Sequence, residues 1–345
     1  MKLDERKRLV LRAIVEDYIA SALPVGSRTI ARKYRLGVSP ATIRNEMADL
    51  EEMGLLEQPH TSAGRIPSDK GYRLYVDTLM QRINLSLDEL RQIREIYERR
   101  TQEIEALIQE TIKVLCDTTN YMALVLGPGV SATPVKRIGL VPMTEKSAVL
   151  VLVTEAGFVA NRLLEVPEGI REEDLYHISG VLSHHLQGLT LDRLSLTAIR
   201  ELYNELARYR SIVEQTLEIL SGICASQESE RVWVGGALRI LDQPEFRDID
   251  KAKAILGLIE DVNLLRESVS NFRGKSGVQV TIGVENDLED LKDCSLVSAT
   301  YWMGSKPVGT VALLGPKRMN YSKAVAVVEV VEETLSEVFT KVVGA

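Results

Sequence analysis

The sequence predicts a multidomain α+β protein that begins with a winged helix-turn-helix head. Three observations carry that prediction. Residues 24–67 set two short helical patterns around a glycine turn and follow them with a strand, a polar tip and a returning strand. Residues 86–115 form a long charged helical pattern. Beyond it, short β-rich runs stand on both sides of a mostly helical block, the order expected of one α+β domain interrupted by an insertion. A chain of 345 residues has room for two or three such units.

In chain order, Leu3, Val10, Leu11, Ile14, Tyr18 and Ile19 recur at helical spacing, with one polar interruption at Lys7. Leu23-Pro24 and Gly26 end that helix. The next runs over 28–34 with Ser27 as its expected N-cap and Ile30 and Ala31 inward, and Gly37 supplies the left-handed corner that follows. Ser39-Pro40 then opens a helix over 39–53: a serine can cap the free N–H groups, and proline at the first helical position sacrifices no bond. Ile43, Met47, Leu50 and Met53 form its apolar stripe, and Gly54 ends it. Leu55–Gln58 reads as a strand, Pro59–Arg65 as a loop tip and Ile66-Pro67 as the return. Ser68 caps a helix over 69–80 in which Tyr72, Tyr75, Val76 and Leu79 share a face.

The helical pattern of 86–115 has a gap near Arg99–Thr101, expected as a kink or break. Short strands are predicted at 121–126, 138–142, 148–153 and 158–164, with turns brief enough to make neighbours antiparallel. Helical periodicity returns over 171–224, a strand at 231–238, a helical pattern over 252–272, strands at 277–284, 295–302 and 308–314, and a last helix over 322–343.

The formal charge of −7 is unevenly placed. Residues 1–75 hold 13 Lys+Arg against 10 Asp+Glu, which leaves the other 270 residues at −10. A mildly basic head on an acidic body suits a nucleic-acid reader with a separate regulatory part. Cys116, Cys224 and Cys294 are scattered and form no CxxC, so neither a disulfide framework nor a zinc ribbon is expected. The opening MKLDERKRLV lacks the apolar core of a signal peptide, and no run approaches a membrane span, so the expected location is the cytoplasm. His177, His184 and His185 have no Cys or carboxylate at ligand spacing, and adjacent helical histidines point apart; no metal is expected there. Gly127-Pro128-Gly129 and Gly315-Pro316-Lys317 match neither phosphate-loop pattern and read as turns. No converging acid, base and nucleophile marks an enzyme, and no cofactor is expected.

The helix at 39–53 carries Thr42, Arg44 and Asn45 near its start and away from its apolar stripe. Arginine can fork onto guanine and asparagine onto adenine in the DNA major groove. Thr42, Arg44 and Asn45, with Ser39 at the cap, are therefore the candidate base readers. Arg28, Arg32, Lys33, His60, Thr61, Ser62 and Arg65 are the candidates for phosphate or minor-groove contact.

SPATIRNEMADLEEMG (39–54), QPHTSAGRIPSDKGYRLYVD (58–77) and GPKRMNYSKA (315–324) closely resemble the bacterial heat-inducible transcription repressor family HrcA, as do PVGSRTIA (24–31) and CSLVSATY (294–301). The likeness extends over essentially the whole chain. It implies a winged helix-turn-helix domain at 1–77, linker helices at 78–115, a GAF-like α+β domain split between 116–170 and 275–345, and an inserted, mostly helical dimerising domain at 171–274. It further implies a homodimer on an inverted-repeat operator of chaperone genes, CIRCE, released on heat stress and kept active by the GroE chaperonin. Arg318, in GPKRMNY, is expected at a dimer contact, in a GAF-like pocket or at a helix entry. The competing expectation is a regulator that uses the GAF-like domain as a small-molecule receptor.

Overall fold

The structure is a computed structural model that describes residues 3–60, 63–99, 104–127, 133–155, 158–191, 196–225 and 232–343. The head is built from α1 (Glu5–Ser21), α2 (Ser27–Tyr34), α3 (Pro40–Glu52), β1 (Leu56–Glu57), β2 (Ile66–Pro67) and α4 (Asp69–Leu74). Val10, Leu11 and Ile14 of α1 meet Ile30 of α2 and Ile43, Met47 and Leu50 of α3, all buried. The corners predicted at Gly37 and Gly54 have φ of +72° and +71°. Three local expectations are corrected. Gly26, not Ser27, is the N-cap of α2, and no side chain caps it. Met53 is 40% exposed, because α3 has ended before its stripe returns to the core. The helix expected over 69–80 is α only to Leu74 and continues as a π turn over Tyr75–Leu79.

After an irregular stretch come α5 (Leu87–Arg99), α6 (Ile104–Thr119) and β3 (Met122–Leu126); the expected gap at 99–101 falls largely outside the described residues. Then follow β4 (Val135–Thr144), β5 (Ser147–Thr154), β6 (Val159–Glu165), α7 (Glu172–Leu186), α8 (Leu196–Glu205) and α9 (Arg210–Ala225). The remainder is β7 (Val232–Gly235), α10 (Ala237–Leu241), α11 (Ile249–Glu260), α12 (Val262–Ser270), β8 (Gln279–Ile282), β9 (Cys294–Met303), β10 (Lys306–Pro316) and α13 (Tyr321–Val343). The single helical pattern read over 252–272 is two helices. Asp261 ends α11 and caps α12, accepting from the Asn263 and Leu264 amides.

Five strands make one antiparallel sheet in the order β7-β3-β10-β9-β8. One face carries α6 and α13, with Val125, Val297, Val311 and Leu313 against residues such as Val327, Val331, Leu335 and Phe339. The other face carries α10, α11 and α12, with Leu124, Leu296, Ala312 and Leu314 against Ile240, Leu258, Leu265 and Val269. β4, β5 and β6 form a separate antiparallel meander whose core is shared with α7, α8 and α9. β3 pairs with both β7 and β10, so β4–β6 and α7–α9 fall in the chain between neighbouring strands of the main sheet. The extent of this segment differs from the expected 171–274. The strands of 135–165 share a core with the helices of 172–225, whereas 237–270 packs on the five-stranded sheet. A boundary at 170/171 would cut through that one core, and periodicity does not report which sheet a strand joins.

Candidate nucleic-acid interface

The start of α3 is set by local chemistry. Ser39 Oγ accepts from the Thr42 amide at 3.1 Å, and Pro40 occupies the first helical position. Burial of Ile43, Met47 and Leu50 turns the opposite side outward. That side presents Ala41, Arg44, Asn45 and Ala48 at i, i+3, i+4 and i+7, all exposed. The arrangement suits a groove: two hydrogen-bonding side chains, one long and one short, are flanked by methyl groups small enough to let the backbone come close.

The candidate residues divide by what already holds them. Arg28, Arg32 and Arg44 are exposed and have no ion-pair partner among the described residues, and the same is true of Arg35, on the turn after α2, which sequence reasoning passed over. Asn45 and His60 are also exposed. Thr42 is half-buried and its hydroxyl lies 2.9 Å from Ser39 Oγ, which makes it part of the cap. Lys33 is paired with Asp17 of α1 at 2.5 Å, and that hydrogen bond raises its pKa. Arg65 sits at the wing's return, not its tip, and its Nε and Nη2 both reach Glu51 Oε2 of α3 at 2.8 Å. Thr61 and Ser62 lie outside the described residues.

The wing is pinned at its base. Leu56 pairs with Pro67 and Glu57 with Ile66, and Val25 and Arg65 exchange two backbone hydrogen bonds at 2.9 Å. Gly64 makes that third pairing possible: a Cβ there would stand 2.4 Å from the Val25 carbonyl oxygen. Gln58 Nε2 donates across the loop to the Ala63 carbonyl at 3.1 Å.

A further residue supports α3 from behind. Lys7 of α1 places Nζ 2.9 Å from both Glu46 Oε2 and Asp49 Oδ2 and 3.3 Å from Asp4. Hydrogen bonds to Glu46 and Asp49 push its pKa up. The signal was present in the sequence as the one polar residue in the apolar periodicity of the first helix. Its meaning needed the α1–α3 packing.

This geometry defines a winged helix-turn-helix head of the DNA-binding class. Comparison with known families places the chain within that class. Residues 2–79 match the family model described as "Winged helix-turn-helix transcription repressor, HrcA DNA-binding", and residues 105–325 match "HrcA protein C terminal domain". A heat-inducible transcription repressor HrcA of Pelotomaculum thermopropionicum is 48% identical over 343 residues, covering 99% of each chain. One of Desulforamulus reducens is 45% identical over 342 residues, also with 99% of each chain covered. A solved structure described as "Crystal structure of a hypothetical protein at 2.2 A resolution" superimposes with a TM-score of 0.65 at 26% identity, covering 99% of this chain and 100% of that one. The chain belongs to the HrcA family of heat-inducible transcription repressors, which are not enzymes. Among the described residues, no helix is long and apolar enough to cross a membrane.

Proposed function

We propose that this chain represses chaperone operons by binding, as a cytoplasmic homodimer, the inverted repeat CIRCE, and that heat releases it while GroE maintains its activity. The observation that carries the DNA-reading part is the outward stripe of α3, where Arg44 and Asn45 stand exposed beside small alanines. On this reading Arg44 and Asn45 contact base edges. Arg28, Arg32, His60, Thr61 and Ser62 contact phosphate or the minor groove, and Ser39 and Thr42 hold the helix start in place. Lys33 and Arg65 reach phosphate only at the margin of their existing pairs with Asp17 and Glu51.

The five-stranded sheet with helices on both faces is read as the GAF-like domain, and 133–225 as the inserted dimerising unit. The outer face of the β4-β5-β6 meander supports that assignment. Val141, Val149 and Leu163 lie side by side across the three strands, beside Val151, Val153, Val159 and Met143. Val141, Met143, Val159 and Leu163 are between 48% and 69% exposed. This apolar patch, which Arg137 and Asn161 border on the same face, can pair with its own copy across a two-fold axis, which fits a second copy of the chain and presents two heads to two half-sites.

Titration of the purified protein against the inverted repeat, one half-site and random duplex at fixed salt tests the proposal, with sedimentation for the oligomeric state. Dimers that favour the repeat over the half-site are expected. Monomers, or equal affinity for repeat and random DNA, would refute it.

A further inference from the structure

Two of the stretches that carry the family resemblance, 58–77 and 315–324, meet in the fold at the contact between head and body. From the head, α4 contributes Asp69, Tyr72 and Arg73. Asp69 Oδ1 lies 2.8 Å from Lys317 Nζ, and its Oδ2 accepts from the Val284 amide at 3.1 Å. Arg73 grips Glu285 through two guanidinium nitrogens, Nε to Oε1 at 2.8 Å being one, and Nη2 also donates to the Val280 carbonyl at 2.5 Å. Tyr72 and Tyr321, both buried, set their rings 6.0 Å apart at the same contact.

Arg318 makes the second grip. The last turn of α1 contains no basic residue of its own, so its free carbonyls lack the usual favourable charge. Arg318, between β10 and α13, supplies it: Nη1 donates to the Ile19 carbonyl at 3.1 Å. Its Nε is hydrogen-bonded to Glu245 and its Nη2 donates to Gln243 at 3.2 Å, with the side chain only 13% exposed. A guanidinium holding three groups in one plane fixes an angle as well as a distance.

Head and body also share one apolar core, in which Tyr75 and Leu79 of the π turn and Leu85 before α5 are buried. Apolar contact holds the two together without fixing direction, whereas the planar guanidinium pairs fix an angle. We propose that Arg318 and Arg73 are positioning residues for operator recognition: they lock each head to its body, so that the body sets the distance and angle between the two copies of α3. The proposal rests on the dimeric, inverted-repeat reading above.

The test uses the full-length protein and three duplexes: the repeat at its natural spacing, the repeat with about 5 base pairs added (half a helical turn), and a single half-site. The variants are Arg318→Gln, Arg73→Gln, Glu285→Gln and the last two combined. Half-site affinity is expected to stay unchanged. Affinity for the natural repeat should fall roughly tenfold or more, out of the about 10²–10⁴ that linked heads can gain, and discrimination against the shifted spacing should shrink with it. The combined variant should be no worse than the weaker single one, because both remove one ion pair. Should Arg318→Gln lose half-site binding through misfolding, Arg318→Lys, which keeps the charge without the planar fork, is read in its place. Unchanged spacing discrimination, a gain in affinity for the repeat, or equal loss on half-site and repeat in every variant would overturn the proposal. Indifference of the unmodified protein to spacing would instead bring down the inverted-repeat reading itself.

Discussion

Replacing Arg44 by alanine separates base reading from simple charge attraction. Arg44 is exposed and holds no partner among the described residues, so its removal should move stability by no more than about 0.5 kcal/mol. Whatever binding is lost is therefore lost at the DNA. A bidentate contact to guanine is worth about 1–3 kcal/mol, so a half-site should weaken by roughly 5- to 150-fold. A dimer that engages both half-sites should lose about twice that energy on the full repeat. Anisotropy titrations on the repeat and on each single-base variant of one half-site would show the preference relax at one position only. Equal loss on the repeat and on random duplex, with a salt slope shallower by about 0.9 for each lost contact, would refute the assignment and make Arg44 a phosphate ligand.

Two other outcomes follow from the same geometry. Ser39→Ala removes the side-chain acceptor of the Thr42 amide and should cost about 1 kcal/mol, seen as faster hydrogen exchange at the start of α3; unchanged exchange would mean that Pro40 alone holds the cap. Glu89 in the first turn of α5 is bonded to Lys323 and also accepts from the Ser86 amide and hydroxyl at 2.8 Å; chiefly through Lys323, its carboxyl is lowered to about 2. A carboxyl depressed in the folded state stabilises fully above its ordinary range and loses that contribution as pH falls toward the folded value. Glu89→Gln should thus lower thermal stability at pH 7, and the difference from the parent should shrink as pH falls from about 4.5 and close only near pH 2, whereas a difference as large at pH 2 as at pH 7 would contradict the linkage.

The head was the most readable part because its signals are local. Ser39-Pro40, Gly37, Gly54 and Ser68 each act within four residues of themselves, and each occupies the place expected of it. Strands were readable for the same reason: β5 buries Ala148, Leu150, Leu152 and Thr154 alternately, and alternation is visible in one dimension. Sheet membership was not readable, because the β3–β10 pairing joins residues 122–126 to 310–314 and no local pattern encodes it. The candidate DNA residues were legible as residue types. Their availability was not, since Lys33 meets Asp17 and Arg65 meets Glu51 only after α1, α2 and α3 have packed. Arg318 was legible as conspicuous and nothing more. Its partners, Ile19, Gln243 and Glu245, come from two distant parts of the chain.

The central claim is that the outward stripe of α3 reads base edges in the major groove. Methylation interference at guanine N7 tests it most directly, because N7 lies in that groove and is an acceptor for the arginine fork. Interference is predicted at one guanine in each half-site for the parent protein, and its disappearance at those guanines is predicted for Arg44→Ala. No interference at any guanine N7 of the half-sites, or identical patterns for parent and variant, would contradict the account.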